Sequence, residues 1–277
     1  MSRKIAILVV VLTVVSLCSS VALALPPMGP PKAMVGMDQW TIGVGYSRSN
    51  MDLETWGDVR TVTNGTPLDD YSKFEIDGLE SNMVLGQLAY GVHDNWDAFV
   101  HLGAGDAADE IAEDPASGTG ATYTGLDGSL GIAWGFGTRV TFWEDGDVTW
   151  GGLFQTTWSD PDESDVKLKG DSAFTGDADL DFWEVQVAIG PTVEVDGVSL
   201  YGGPFLHFVG GDLDINGQTT TGGTITTTAS QDIREQSHIG GYVGAQWNVN
   251  DNTCAHVEVQ FTGDAWAAGV GAIWRTQ

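Results

Sequence analysis

The sequence predicts an all-β fold: an up-and-down antiparallel transmembrane β-barrel of about ten strands, with eight or twelve as the alternatives. Three observations carry this. Apolar and polar residues alternate with a period of two in ten successive runs, as expected of strands with two differently solvated faces. Short and long connections alternate along the chain. Tryptophans cluster at two levels of the runs, where an amphipathic ring is best placed if an apolar layer is bounded by water on both sides.

The elements follow in order. Residues 1–24 read as a cleaved export signal peptide, with a basic start "MSRK", an apolar core "IAILVVVLTVVSL" and Ala22-Leu23-Ala24 as the cleavage site. No later stretch approaches the roughly 20 apolar residues of a spanning helix. Residues 25–36, "LPPMGPPKAMVG", are proline-rich without periodicity and predict an extended leader. Residues 37–277 form the barrel domain. Its outward apolar positions are Trp40, Ile42, Val44 and Tyr46; Val84, Leu88, Tyr90 and Val92; Trp96, Ala98, Val100 and Leu102; Leu130, Ile132, Trp134 and Phe136; Val148, Trp150, Phe154 and Trp158. They continue with Trp183, Val185, Val187, Ile189 and Val193; Leu200, Leu206 and Phe208; Ile239, Val243, Ala245, Trp247 and Val249; Ala255, Val257, Val259 and Phe261; and Trp266, Ala268, Val270, Ala272 and Trp274. The runs around Met83 and Leu85, and around Tyr201 and Phe205, are the weakest, because those residues put apolar groups on the other parity.

Short turns fall at His93-Asp94-Asn95, residues 144–147, Asp196-Gly197 and residues 250–252. Long loops are expected near 50–78, 106–125, 160–177 and 212–231. Trp40, Trp96, Trp150, Trp247 and Trp274 sit near the short-turn ends, and Trp158, Trp183 and Trp266 near the loop ends, giving two aromatic girdles. Trp134 falls in mid-strand and Trp143 in a turn, so both stand outside that rule. A soluble β-sandwich also alternates, but it explains neither the two tryptophan levels nor the alternation of turn lengths.

With 38 acidic residues against 11 Lys and Arg the formal charge is −27, which excludes nucleic acid as a partner. Cys18 lies in the leader, so cleavage leaves Cys254 with no disulfide partner. Leader, alternation, loop asymmetry and the final strand "AWAAGVGAIW" together resemble the bacterial outer-membrane β-barrel proteins, the group that includes small OmpA-like and OmpW-like barrels. The resemblance spans residues 37–277 and implies the outer membrane of a diderm bacterium, short turns in the periplasm, and a periplasmic position for residues 25–36. Pores, enzymes, adhesins and anchors share that architecture.

The opposite parity then looks into the lumen. It carries His101, Arg139, Glu184, Gln186, Glu194, His207, His238, Gln246, His256, Glu258 and Gln260, with His207 opposite Gln186 and His256 opposite Gln246. This predicts a hydrogen-bonded interior network, not a catalytic or metal site, for which no tight ligand spacing exists. No cofactor is expected. Inward glycines, among them Gly43, Gly45 and Gly269, permit either strong coiling or a water-filled passage. Rim pairings of His207 with Asp212 and Asp214, or of His238 with Asp232 and Glu235, match no catalytic motif. Asp177, Asp179 and Asp181 begin like a calcium loop but lack its glycine. The expected function is a structural barrel or a narrow pore, cation-preferring because inward glutamates outnumber Arg139, with no catalysis. A surface binding or adhesion protein acting through acidic loops is the alternative, and an outer-rim hydrolase or protease a weaker one. Outer-membrane lipid and surface glycolipid are the expected partners, with divalent cations at the acidic loops. An arginine at lipid-facing Val187 is expected to cost more than one at lumen-facing Ala188, unless the latter clashes.

Overall fold

The computed structural model describes residues 25–113, 122–127, 130–171, 173–219 and 225–276. The signal peptide and part of the acidic run 106–114 lie outside the described residues. Fourteen strands pair in one antiparallel sheet. In chain order they are β1 (Trp40–Thr63), β2 (Thr66–His93), β3 (Trp96–Gly105), β4 (Ala108–Glu113), β5 (Thr122–Asp127), β6 (Gly131–Asp145) and β7 (Val148–Asp160). There follow β8 (Ser164–Leu168), β9 (Thr175–Val195), β10 (Val198–Thr219), β11 (Ile225–Glu235), β12 (Ile239–Asn250), β13 (Thr253–Phe261) and β14 (Ala265–Arg275).

The pairings close two rings, one above the other. The lower is the ten-strand circuit β1-β2-β3-β6-β7-β9-β10-β12-β13-β14, sealed where β1 pairs with β14 from Thr41↔Arg275 to Met51↔Ala265. The upper runs β1-β2-β4-β5-β8-β9-β10-β11 and closes where β11 pairs with β1 from Leu53↔Glu235 to Thr63↔Ile225. Only β1, β2, β9 and β10 pass through both. Among the described residues each circuit closes on itself, which removes the two free edges an open sheet would have.

This corrects the expectation of long outer loops. Most of residues 50–78 and 212–231 is strand, and the first of these turns tightly at Asn64 and Gly65, both at positive φ. The physical reason is an inversion of polarity within an unbroken alternation. Along β9, Ala178, Leu180 and Phe182 are buried between outward Asp179 and Asp181; one residue later Trp183, Val187 and Ile189 are outward and Glu184 and Gln186 inward. The backbone keeps its phase while its surroundings change from water outside an apolar core to lipid outside a polar lumen.

In the lower ring Ile42, Val100, Ile132, Ile189, Val243 and Val270 are 46% to 65% exposed, forming an apolar belt far larger than a soluble monomer presents. The belt has aromatic borders. On the short-turn side Trp40 packs on Tyr90 at 4.7 Å, and Trp96, Trp150, Trp247 and Trp274 occupy the same end of their strands. On the other side Trp158 lies between Trp134 and Trp183 on one rung, while Trp266 sits opposite Asn50 and Phe261. Trp134 is therefore part of the upper border, stacked on Trp158 at 4.5 Å and 11°, because β6 begins at Gly131 and not further out. Trp143 is in strand β6 opposite Trp150, displaced by an irregularity between Thr141 and Trp143.

The upper ring holds the largest apolar core, built on Phe74, Ile76, Leu79, Tyr123, Phe174, Leu180, Leu213 and Ile215, with Leu25 packed among them. The inward apolar residues that weakened two runs have partners as well. Met83 and Leu85 pack with Ala133; Tyr201 and Phe205 pack with Met28, Leu153, Ala188 and Tyr242.

Candidate functional site

Residues 25–36 lie inside the barrel, which corrects their expected periplasmic position. Leu25, Met28 and Val35 are at most 3% exposed. The segment has four prolines and no strand to join, so its backbone groups need partners from the wall. From the outer end downward, Leu25 N donates to Ser49 Oγ at 2.5 Å, and Pro26 O accepts from Gln155 Nε2 at 3.1 Å and Gln260 Nε2 at 3.0 Å. Met28 N and Gly29 N donate to the two Glu258 carboxylate oxygens, each at 2.8 Å. Ala33 N donates to Thr141 Oγ1 at 3.0 Å; Met34 N and Val35 N share Asp97 Oδ2 at 2.6 and 3.2 Å. Asp38 N then reaches Gly91 O at the mouth, where β1 begins.

Three wall glycines make room for this path. A Cβ on Gly91 would stand 1.9 Å from Gly36 O, one on Gly151 2.1 Å from Pro31 O, and one on Gly269 2.3 Å from Pro27 Cγ. Here the inward glycine serves close approach of a second backbone.

The polar side chains that grip the segment are joined to one another. Gln155 donates to Gln186 at 2.5 Å, Gln186 to Gln260 at 2.7 Å, and Gln260 to Glu258 at 2.8 Å. Nearer the mouth Arg139 Nε donates to Asp97 Oδ1 at 2.9 Å, with the two side chains 2% and 0% exposed, and Arg139 lies 4.8 Å from the Phe99 ring centroid. Lys32 reaches Glu194 at 3.1 Å. Glu194 is thus at the short-turn mouth and half in water, not deep in the lumen. We expect Asp97→Ala to cost about 3–5 kcal/mol, because it strands a buried guanidinium, and the double change Asp97→Leu, Arg139→Met to cost less, since both lose the acceptor of Met34 N and Val35 N but only the single change leaves the guanidinium unpaired. Urea unfolding in bilayers, read by heat-modifiable gel mobility, measures both; equal costs would refute the pairing.

The histidines divide. His101 Nε2 lies 2.9 Å from Gln87 Nε2, and His101, His256 and Gln87 border a small cavity against Pro26 and Pro27. His207 pairs with Gln186 in register, and His256 with Gln246. His238 departs from expectation: its side chain is 57% exposed and its ring lies against outward Phe208 at 5.2 Å, because residues 236–238 form the link that leaves the upper ring for β12. Its Nδ1 is 2.8 Å from Glu235 Oε1, and Glu235 Oε2 stands 2.8 Å from buried His207 Nδ1, at ion-pair distance without hydrogen-bond alignment. Asp212, Asp214 and Asp232 point outward from the upper ring, away from both rim histidines. Asp177, Asp179 and Asp181 alternate along one strand, which spaces them too widely to surround a cation. Among the described residues no group of three or more His, Cys, Asp or Glu side chains gathers around a point that could hold a metal ion.

Sequence reasoning passed over Asp97, Gln87 and Gln155. All three are on the inward parity of their runs, so the same alternation finds them. The expected neighbourhood of Glu235 and His238 is present, but Asp232 points away from it.

No family model matches the chain, and no curated protein sequence matches it. Solved structures similar to it include the outer membrane protease OmpT from Escherichia coli, at 9% identity over 88% of this chain and 96% of that one, TM-score 0.46. The outer membrane protein OprG from Pseudomonas aeruginosa matches at 10% identity over 88% and 98%, TM-score 0.46. The toluene transporter TbuX of Ralstonia pickettii matches at 11% identity over 94% and 96%, TM-score 0.40. The closed ten-strand wall, its apolar belt and its aromatic borders define the class directly: this is a small outer-membrane β-barrel. Its lumen is filled by residues 25–36, and a second, eight-strand ring continues beyond the upper aromatic border.

Proposed function

We propose that the protein is a structural, sealed outer-membrane barrel that presents its upper ring at the cell surface and catalyses no reaction. The observation that carries this reading is the occupation of the lumen by residues 25–36, held at both Glu258 oxygens and at Asp97. The apolar core of the upper ring is a second seal in series with the first. A path that opened past both would run by Glu184, Glu258 and Asp97 against Arg139, and would favour cations. Export through cleavage after Ala24 belongs to the same reading, since it leaves Leu25 as the first residue of the luminal segment.

A surface binding role stands beside it, favoured by the outward face of β9, β10 and β11. There Asp181, Asp212 and Asp232 share one rung, with Asp179 and Asp214 on the next. Burial, then Asp160 and Asp179, raise the Asp181 carboxyl above its ordinary range. Such like-charge rows are destabilising by themselves. Divalent cations bridging to glycolipid phosphates would offset that. Planar-bilayer recording of the folded native protein tests the main reading: electrical silence is expected, and reproducible single-channel steps would overturn it.

A further inference from the structure

Above the upper tryptophan border the outward face has no hydrocarbon to meet, and on β9, β10 and β11 it is polar: Asp179, Asp181, Asp212, Asp214, Thr228, Ser230 and Asp232. The β1–β2 hairpin breaks that pattern. Trp56 is 38% and Tyr71 59% exposed, their ring centroids 6.5 Å apart and their planes within 24°. Register explains the juxtaposition. Trp56 stands opposite Lys73 and Tyr71 opposite Asp58, so the two rings are diagonal neighbours on one face. On the other side of β1, Trp56 faces Asp232 and Asp58 faces Ser230.

The surroundings of the rings are fixed. Lys73 Nζ lies 2.7 Å from Glu54 and 2.7 Å from Glu75, and 5.6 Å from the Trp56 ring centroid. Hydrogen bonds to Glu54 and Glu75 hold the Lys73 ammonium above its ordinary range, so it remains a charged donor on one edge of the aromatic surface. Asp58 and Asp232 supply acceptors, and Ser230 both donor and acceptor.

We propose that Trp56 and Tyr71 form a binding platform for a neutral or amino-bearing saccharide. A pyranose ring offers a face of C–H groups, weakly positive, to the negative face of an aromatic ring, and a rim of hydroxyls to the polar groups around it. The charge balance selects the ligand. Glu54, Glu75, Asp58, Asp69 and Asp232 outnumber Lys73, Arg60 and Arg234 on this face, so a phosphorylated or sulfated sugar is repelled and an ammonium is attracted. Size selects too: two aromatic side chains bury about 150–250 Å² each, well short of the roughly 1,000 Å² of a specific protein interface. The sugar can come from a free glycan or from a neighbouring glycolipid; the recognising chemistry is the same. The inference rests on the proposed surface exposure of the upper ring only for the origin of that sugar.

The full-length protein in detergent is titrated with N-acetylglucosamine tetramer, its deacetylated form, a neutral glucan tetramer and a sulfated tetramer, followed by calorimetry and tryptophan fluorescence. Saturable binding of a neutral or amino saccharide is expected, without binding of the sulfated one. Trp56→Ala and Tyr71→Ala should each weaken it about tenfold or more, while Trp143→Ala, at the opposite end of the barrel, should leave it unchanged. Heat-modifiable mobility certifies the fold of each variant. The same sugar on a lipid anchor in nanodiscs identifies the source: tighter binding supports a glycolipid, equal binding a free glycan. Absence of binding by every neutral and amino saccharide, binding confined to the sulfated tetramer, or affinity unaltered in folded Trp56→Ala overturns the proposal. Bilayer recording is independent of this titration, so failure here leaves the sealed barrel standing.

Discussion

Deleting residues 26–35 is expected to expose the Cys254 thiol to water from the periplasmic side while leaving the barrel electrically silent. Cys254 is 1% exposed in the native protein and shares the inward parity of β13 with His256 and Glu258. A charged maleimide should therefore label the native protein slowly, through rare openings, and the folded deletion variant roughly tenfold faster or more. Current across the membrane should still be absent, because Phe74, Phe174, Leu213 and the rest of the upper core close the other end. Labelling at the native rate in a folded deletion variant would mean that residues 25–36 do not fill the lumen. A deletion variant that conducts would mean that the upper core does not seal.

The second large effect is at Val187, which is 40% exposed on the belt and stands opposite Leu206 and Phe154. Arginine there should cost about 2–4 kcal/mol in bilayers, since no water reaches the belt at that depth. Its neighbour Ala188 is no refuge. The lumen at that level is packed, with Ala188 4% exposed among Met28, Leu153, Tyr201 and Phe205. Ala188→Leu should cost about 1–3 kcal/mol through overpacking, and the cost should fall when residues 26–35 are removed with Met28. Val187→Arg should show no such relief. If deletion rescues both substitutions alike, or neither, the assigned faces of β9 are wrong.

These two neighbours show how far the sequence could be read. The alternation assigned Val187 and Ala188 to opposite faces, and it gave the ten-strand wall, because lipid imposes a strict period of two on every strand it touches. What lay inside was out of reach. "LPPMGPPKAMVG" has no period, and its side-chain partners are scattered over β1, β3, β6, β7, β9 and β13, each an ordinary polar residue of its strand. The apolar parity breaks at Leu85 and Phe205, read as weaknesses, were the trace of a packed interior. The upper ring was likewise present in "DADLDFWEVQV": the apolar residues change parity between Phe182 and Trp183, where the strand crosses the membrane surface. An inversion of that kind looks like the end of a strand when a strand is assumed to have one environment. His238 departs from the inward parity because that parity stops where β12 begins at Ile239, and His238 is one residue earlier, in the link from the upper ring.

The unequal strand lengths have one more consequence. β2 has 28 residues, whereas a membrane strand uses about 9–11. At ~3.3 Å per residue and a tilt near 45°, with a ~25 Å apolar band below, it rises roughly 40 Å clear of the hydrocarbon. The molecule is therefore a turret more than a hole in the wall. Its summit includes the Asn64-Gly65 turn, a tight bend with both residues at positive φ; if the upper ring stands at the cell surface as proposed, that turn is the part of the molecule furthest from the bilayer.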